Sequence, residues 1–413
     1  MRRTTQPASG LVPLLLAAAT VLAVPSPAHA DTLPGPGFPP RYTAPFLGTW
    51  GSGDALTEAH RATGLDHFTL GFVLSDGGCN GAFDGTIPVT EEGWPDAVSR
   101  LRAGGGDVIV SFGGGFGTEL AQVCDSVDSL KAAYRRIVDA LDLTRIDFDV
   151  EGAAVDDAAS VDRRDRAVAA LQREYAAADR ALHVHYTLPV NPDGLSPDAV
   201  RLLRNARERG VTVSVVNIMT MDYGPDLDMG ATAVEAADGL LGQLAQIWPE
   251  KTTAELWGMQ GNTPRIGVND FTNEVFSAED ARTLAAFADA KGIQLLAFWS
   301  VDRDRACPTD GELSETCSGV PQQPAAFSHL LGRARPRPVP DRWPTACSGL
   351  GPSFPACTGP LTPPPGAPLP LPLPLFATPG RPARTPADGW CGDGRTRSVW
   401  ARRVPSCPPP PGP

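Results

Sequence analysis

Three carboxylates, Asp147, Asp149 and Glu151, recur at every second position of the stretch "RIDFDVEG" at 145–152. Alternate residues of a strand face the same way, so the three acids share one side while Ile146, Phe148 and Val150 share the other. Like charges gathered this closely repel, and the arrangement is costly unless one acid keeps its proton. A carboxyl that holds its proton near neutrality, beside a second that can share it, is equipped for general acid catalysis. A salt-bridged or solvated patch is the structural alternative. Three aligned acids ending one apolar run fit a reactive site better, because such sites gather perturbed carboxylates.

Other residues with chemical potential lie at the ends of similar runs. Ser111 precedes Gly113, Gly114 and Gly115, which let backbone approach a neighbouring strand closely. "NIMTMDYG" at 217–224 carries Met219, Met221, Asp222 and Tyr223. Trp50 and Trp299 are aromatic residues at run ends, where an indole offers either a stacking face or ordinary core packing. Asn269 and Asp270 end a further run and read either as ligand contacts or as loop caps. His67, His183 and His185 read as structural.

The elements that must position these residues form a regular series. Strand-like runs are "APFLGTW", "HFTLGFVLS", "DVIVSFGGG", "RIDFDVEG", "HVHYTLPV", "SVVNIMTMDYG", "PRIGVND" and "GIQLLAFWSVD", and alanine-rich amphipathic stretches such as "SLKAAYRRIVDAL" separate several of them. Near-continuous apolar strands alternating with helices predict a parallel sheet. Eight units over residues 42–331 fit a single closed (β/α)8 TIM barrel, whose usual size is about 250 residues. An open doubly wound sheet is the competing architecture, and "GTWGSGDAL" resembles its Gly-rich phosphate turn only faintly. In a barrel, functional residues sit at the carboxyl ends of the strands, which is where the acids and aromatics above fall.

Composition bounds the rest. Arg2 and Arg3, an apolar stretch from Leu11 to Val24, and Ala28-His29-Ala30 describe a secretory signal peptide over 1–30, cut at about Ala30. Residues 31–41 read as a linker, and the mature chain is expected to be extracellular with no membrane attachment. Net charge is −12, although ten arginines against three aspartates follow Gly332. The body is therefore acidic, which argues against nucleic acid as a partner and does not repel a neutral polymer. Residues 332–413 hold 23 of the 43 prolines and predict an extended tail, with four cysteines, Trp390 and Trp400 leaving room for a small disulfide-tied module. Eight cysteines suit an oxidising compartment; the favoured pairs are Cys79 with Cys124 and Cys307 with Cys317, the other four linking among themselves. No C-x-x-C or histidine–cysteine cluster suggests a metal, and no nucleotide or flavin motif suggests a cofactor, so none of these is expected. A monomer is expected.

The motifs together resemble glycoside hydrolase family 18, the chitinases. "RIDFDVEG" is similar to that family's D-G-x-D-x-D-x-E signature, "SFGG" at 111–114 to its S-x-G-G motif, and "NIMTMDYG" to its Met/Tyr/Asp motif. Trp299 falls where the family places a tryptophan on its eighth strand. The four matches occur in order across the whole predicted barrel. Two departures stand out: Thr144-Arg145 replace the first Asp-Gly pair, and Met221 occupies the tyrosine's place, leaving Asp222 aligned and Tyr223 one step further along the face of Met219 and Met221.

The resemblance implies a secreted chitinase cleaving β-1,4 links between N-acetylglucosamine units, with chitin oligosaccharides as partners. It implies that Glu151 donates a proton, that Asp149 orients the substrate's acetamido group and that Asp147 supports both. Met219, Met221, Asp222, Tyr223, Trp299, Ser111, Gly114, Trp50 and Asn269 are then the expected substrate contacts. An endo-β-N-acetylglucosaminidase acting on N-glycans, or a non-catalytic chitin-binding lectin on the same barrel, would share most of these features.

Overall fold

The computed structural model describes residues 37–332 of the 413; the expected leader, and the Pro-rich stretch from 333 with its four cysteines, Trp390 and Trp400, lie outside them. The chain opens with β1 (Tyr42–Thr43) and β2 (Phe46–Gly48), two halves of one extended segment. It continues through α1 (Asp54–Thr63), β3 (His67–Ser75), β4 (Gly81–Phe83), α2 (Trp94–Ala103) and β5 (Asp107–Gly113). Then follow α3 (Leu120–Val123), α4 (Val127–Ala140), β6 (Arg145–Asp149), α5 (Ala158–Ala177), β7 (His183–Asn191), β8 (Gly194–Leu195) and α6 (Pro197–Arg209). The last part holds β9 (Val213–Met219), α7 (Met229–Ile247), α8 (Thr253–Gly258), β10 (Gln260–Thr263), β11 (Gly267–Val268), β12 (Val275–Phe276), α9 (Ala278–Lys291), β13 (Leu295–Leu296) and α10 (Ala326–Leu331).

Sheet order is β1-β13-β10-β9-β7-β6-β5-β3-β2, every neighbouring pair along that path parallel. The two ends of this order are consecutive pieces of the segment 42–48. Ala44 N–H reaches Leu296 O while Thr69 N–H reaches Pro45 O, so the segment bridges last strand to first and closes the sheet. This is a parallel α/β barrel of eight strand segments, as expected from the alternating pattern. Strand β4 and the β11–β12 hairpin are antiparallel additions at its rim.

Capping explains where several helices begin. Ser126 and Ser277 form reciprocal capping boxes at α4 and α9, and Ser196 accepts from Ala199 N–H at the head of α6, followed by Pro197. Gly210 and Gly292 end α6 and α9 in the left-handed conformation. Alternation then sorts the strands. On β5, β6 and β7, Val110, Phe112, Ile146, Phe148, Val184 and Tyr186 join the large core between sheet and helices. Their alternates include Ile109, which joins the small cluster of Tyr42, Phe46, Val215 and Leu295 inside the barrel.

One strand differs from the sequence reading. The seventh barrel strand is Gln260–Thr263, not "PRIGVND"; Gly267 and Val268 of that run instead pair with β12 in a hairpin beyond the barrel end. The polar run "QGNT" lacks the apolar signature of a buried strand. It is tolerated because Thr263 bonds to Asn217 inside the barrel, while Asn262 bonds on the other face to Thr220 and to Ala233 O of α7.

Candidate active site

Asp147 and Asp149 lie on β6, facing the barrel interior, and Glu151 follows at its carboxyl end. Asp147 is buried, and both its oxygens are satisfied: Ser111 Oγ donates to Oδ2 at 2.6 Å and Thr187 Oγ1 donates to Oδ1 at 2.8 Å. Burial lifts its carboxyl to about 6, although the two hydroxyls pull it back toward the charged form. Asp149 is buried as well, with Oδ1 lacking a partner among the described residues. Burial first, then the charges of Glu151 and Asp147, push Asp149 well above the usual carboxylate range.

Glu151 retains a partly exposed face at the barrel mouth, and burial raises its carboxyl to about 7. Asp149 and Glu151 interact directly, and burial of both acids favours a proton on the pair. The opening carboxylate triplet is thereby a buried anchor, a proton-sharing partner and an accessible acid. Glu151 is the member from which a proton can reach a bound molecule.

Glycines let the β5 end run alongside. Gly113 adopts φ +107°, and a Cβ there would stand 2.1 Å from Asp149 O; Gly114 N–H donates to that same carbonyl at 2.9 Å. Gly115 passes so near that a Cβ on it would lie 3.4 Å from Glu151 Oε2. Side chains at 113 would collide with the strand that carries the acids.

The segment after β9 departs from simple alternation. The strand ends at Met219, and Asp222 takes a left-handed φ of 55°, so Tyr223 does not lie on one strand face with Met219 and Met221. This corrects the phase expected from sequence. Asp222 Oδ1 accepts from Asp270 N–H at 2.7 Å, and the buried Glu274 accepts from Tyr223 N–H at 3.0 Å and from Gly224 N–H. Tyr223 packs against the large core between sheet and helices, with its buried Oη lacking a partner among the described residues. Burial, then Asp270, raises the Asp222 carboxyl; the Asp222 charge in turn raises Glu151.

Trp299 stands half-buried at the mouth, its ring nearly parallel to Phe72 at 5.6 Å and 10°, with its Nε1–H donated to Glu315 at 3.1 Å. Trp50 is 50% exposed and its ring covers Gly48, where any Cβ would strike it. Asn269 is different from expectation. It is fully buried, its amide donates to Arg265 O and Gly267 O at 3.0 Å, and its oxygen accepts from Asp222 N–H at 3.3 Å. It shapes the loop under Asp222 and has no free polar edge.

Both expected disulfides in the described residues are present, Cys79–Cys124 and Cys307–Cys317. His67 and His185 are buried near the opposite end of the barrel, around Tyr42 and Phe38, in structural roles. Sequence reasoning missed a polar chain through the barrel: Thr263 Oγ1 donates to Asn217 Oδ1, Asn217 Nδ2 to Thr187 Oγ1, and Thr187 to Asp147. Alternation on β7 could have exposed Thr187, which shares a face with His183 and His185. Nothing local marks Glu315.

Comparison with known proteins bears on the family and the fold. No family model matches the chain. The crystal structure of the catalytic domain of a hyperthermophilic chitinase from Pyrococcus furiosus is similar at 35% identity, covering 71% of this chain and 95% of that one, with a TM-score of 0.65. Catalytic-site mutants of active domain 2 of that organism's thermostable chitinase, complexed with chito-oligosaccharides, match at 34% identity, 71% and 94% coverage, and a TM-score of 0.65. Among curated proteins, "Probable bifunctional chitinase/lysozyme" of Escherichia coli K12 is 35% identical over 67% of this chain and 32% of its own length. "Endochitinase 11" of Metarhizium anisopliae is 36% identical over 60% and 49%. The chain thus spans about a third to a half of the length of the curated relatives it matches.

Proposed function

The chain belongs to glycoside hydrolase family 18, and on that premise we propose that it is a secreted chitinase hydrolysing β-1,4 links between N-acetylglucosamine units with retention at the cleaved carbon. The observation that carries this reading is the Asp149–Glu151 pair: one proton shared between a buried carboxyl and a mouth-facing one raised to about 7. A saccharide-binding protein without catalysis has no use for a buried acid pair whose upkeep costs stability.

In the reaction proposed, the 2-acetamido oxygen of the substrate attacks the anomeric carbon as the glycosidic C–O bond breaks. Glu151 gives its proton to the departing oxygen. Asp149 takes the acetamido N–H and balances the positive oxazolinium ring, supported by Asp147 from below. Trp299 presents its ring to the sugar face. Water then attacks the same carbon from the side opposite the acetamido oxygen, whose bond to that carbon breaks to regenerate the amide, and its proton passes to Glu151, which restores the acid and retains configuration. Fixed placement of the internal nucleophile is the main source of rate, since it replaces an encounter between two molecules. Secretion is supported by the two disulfides, which suit an oxidising compartment.

Hydrolysis of a labelled chitin oligomer, of the same oligomer with a free amine at the cleaved unit, and of a high-mannose glycopeptide tests the proposal. Cleavage of the first alone is expected. Comparable cleavage of the deacetylated oligomer would show that an enzyme carboxylate is the nucleophile. Preference for the glycopeptide would identify an N-glycan endoglycosidase.

A further inference from the structure

Trp299 is held at both its ring and its nitrogen. Phe72 and Phe46 pack against the ring, while the indole N–H is donated to Glu315 Oε2. The other oxygen of Glu315 accepts from Arg265 Nη2 at 2.6 Å, and that guanidinium also pairs with Asp270 Oδ1 at 3.1 Å. Asp270 N–H in turn donates to Asp222. One carboxylate therefore ties the aromatic platform to the loop that presents Asp222 and Tyr223.

Glu315 sits inside the loop closed by Cys307–Cys317, a separation of 10 residues with no helix or strand of its own. The loop is pinned on both sides of Glu315. Buried Arg303 donates to Ser314 O, Ser318 N–H reaches Arg305 O at 2.9 Å, and Val268 N–H reaches Ser318 O at 2.7 Å. An isolated surface carboxylate gains little from an ion pair, because ordering its side chain costs about as much as the pair returns. Here the backbone is fixed and the two donors are fixed, so the carboxylate is preorganised. Its side chain remains 58% exposed, against 6% for Arg265, so it adds little to the core. Burial alone would raise Glu315, but its hydrogen bond with Arg265, that charge, and the indole N–H together hold its carboxyl below the usual range, so it stays anionic.

We infer that Glu315 is a positioning residue for the site and that the Cys307–Cys317 loop is a working part of it, fixing the orientation of the Trp299 indole. The inference rests on the reading of Trp299 as a sugar platform. Without Glu315 the indole N–H loses its acceptor, and only the packing of Phe72 and Phe46 is left to set the tilt of the ring. Arg265 is then shared by Asp270 alone. Because a stacking platform is used in the bound state as well as in the transition state, the cost falls on binding more than on turnover.

The test uses the full chain with Glu315→Ala, Glu315→Gln, Trp299→Phe and the Cys307→Ser/Cys317→Ser pair. Expected for Glu315→Ala is a KM on a chitin oligomer raised about tenfold, with kcat changed less than about threefold and the thermal midpoint nearly unchanged. Glu315→Gln, whose amide oxygen still accepts from the indole, should recover part of the KM, and the cysteine pair should reproduce Glu315→Ala. In a Trp299→Phe background the Glu315→Ala effect should fall below about twofold, since the two act through one contact. A wild-type KM for Glu315→Ala, or full additivity with Trp299→Phe, would overturn the inference. If the wild type neither binds nor cleaves the oligomer, the functional reading fails by itself. Positioning is then read without ligand from the near-ultraviolet dichroism assigned to Trp299 by difference against Trp299→Phe. An unchanged Trp299 signal in Glu315→Ala would refute it.

Discussion

Thr187 donates its hydroxyl hydrogen to Asp147 across 2.8 Å while accepting one from Asn217 at 3.0 Å, so the barrel interior steers a donor onto the innermost acid. A hydrogen bond to the charged form favours that form, and with Ser111 it opposes the burial that otherwise lifts Asp147 to about 6. Thr187→Val removes it. Asp147 should then hold its proton to higher pH, and the acid-side limb of the kcat/KM profile should move up by about one unit. Thr187→Ser should restore the limb. A profile unmoved by Thr187→Val would show that Asp147 does not titrate on that limb.

Glu151→Gln preserves shape and removes the transferable proton. Turnover on a chitin oligomer should fall at least 10²–10⁴-fold, roughly the worth of general acid catalysis, while oligomer affinity stays within about threefold of wild type. Asp149→Asn should also be severely impaired, since the substrate's own amide needs orienting. Single-turnover kinetics beside equilibrium binding separates the two effects.

Glu151 also links activity to pH. Its folded-state value near 7 lies above the ordinary 4.5, so between those pH values the folded protein holds a proton that the unfolded chain has lost. Stability should therefore fall as pH rises through this window. Glu151→Gln removes this group's share of the dependence, leaving that of the raised Asp147 and Asp165. Its melting temperature should exceed that of wild type by a few degrees at pH 8 and by much less at pH 5. In the wild type, kcat/KM should decline above about pH 7 as the acid is lost. Equal melting temperatures at both pH values would contradict the raised value.

Cys79–Cys124 closes a separation of 45 residues and ties the loop after β3 to the end of α3. On chain-entropy grounds a loop of that size contributes about 4 kcal/mol. The Cys79→Ser/Cys124→Ser pair should lower the denaturant midpoint accordingly, measured by urea titration in parallel with the Cys307→Ser/Cys317→Ser pair. The shorter second loop should cost less stability.

Much of the barrel was legible because a strand buried on both sides repeats β-branched and aromatic residues, and β5, β6, β7 and β9 all do so. The same alternation placed Asp147 and Asp149 on one side of their strand, since strand periodicity is a local property; that this side faces the barrel interior is a structural result. β10 escaped because Asn262 and Thr263 are bonded by groups distant in sequence, on β9, just past it and on α7, which no local pattern reports. Asn269 looked like a ligand contact and proved to be a loop brace, since only its neighbours decide whether an amide has a free edge.

What the sequence by itself determined was the fold class and an acid triplet sharing one side of its strand; the two favoured cysteine pairs are settled by the structure. The closing of the sheet through 42–48, the shared proton of Asp149 and Glu151, and the hold of Glu315 on Trp299 were decided only in three dimensions. The physical reason is range. Backbone periodicity acts over a few residues, whereas desolvation and hydrogen-bond pairing depend on groups brought together from distant parts of the chain.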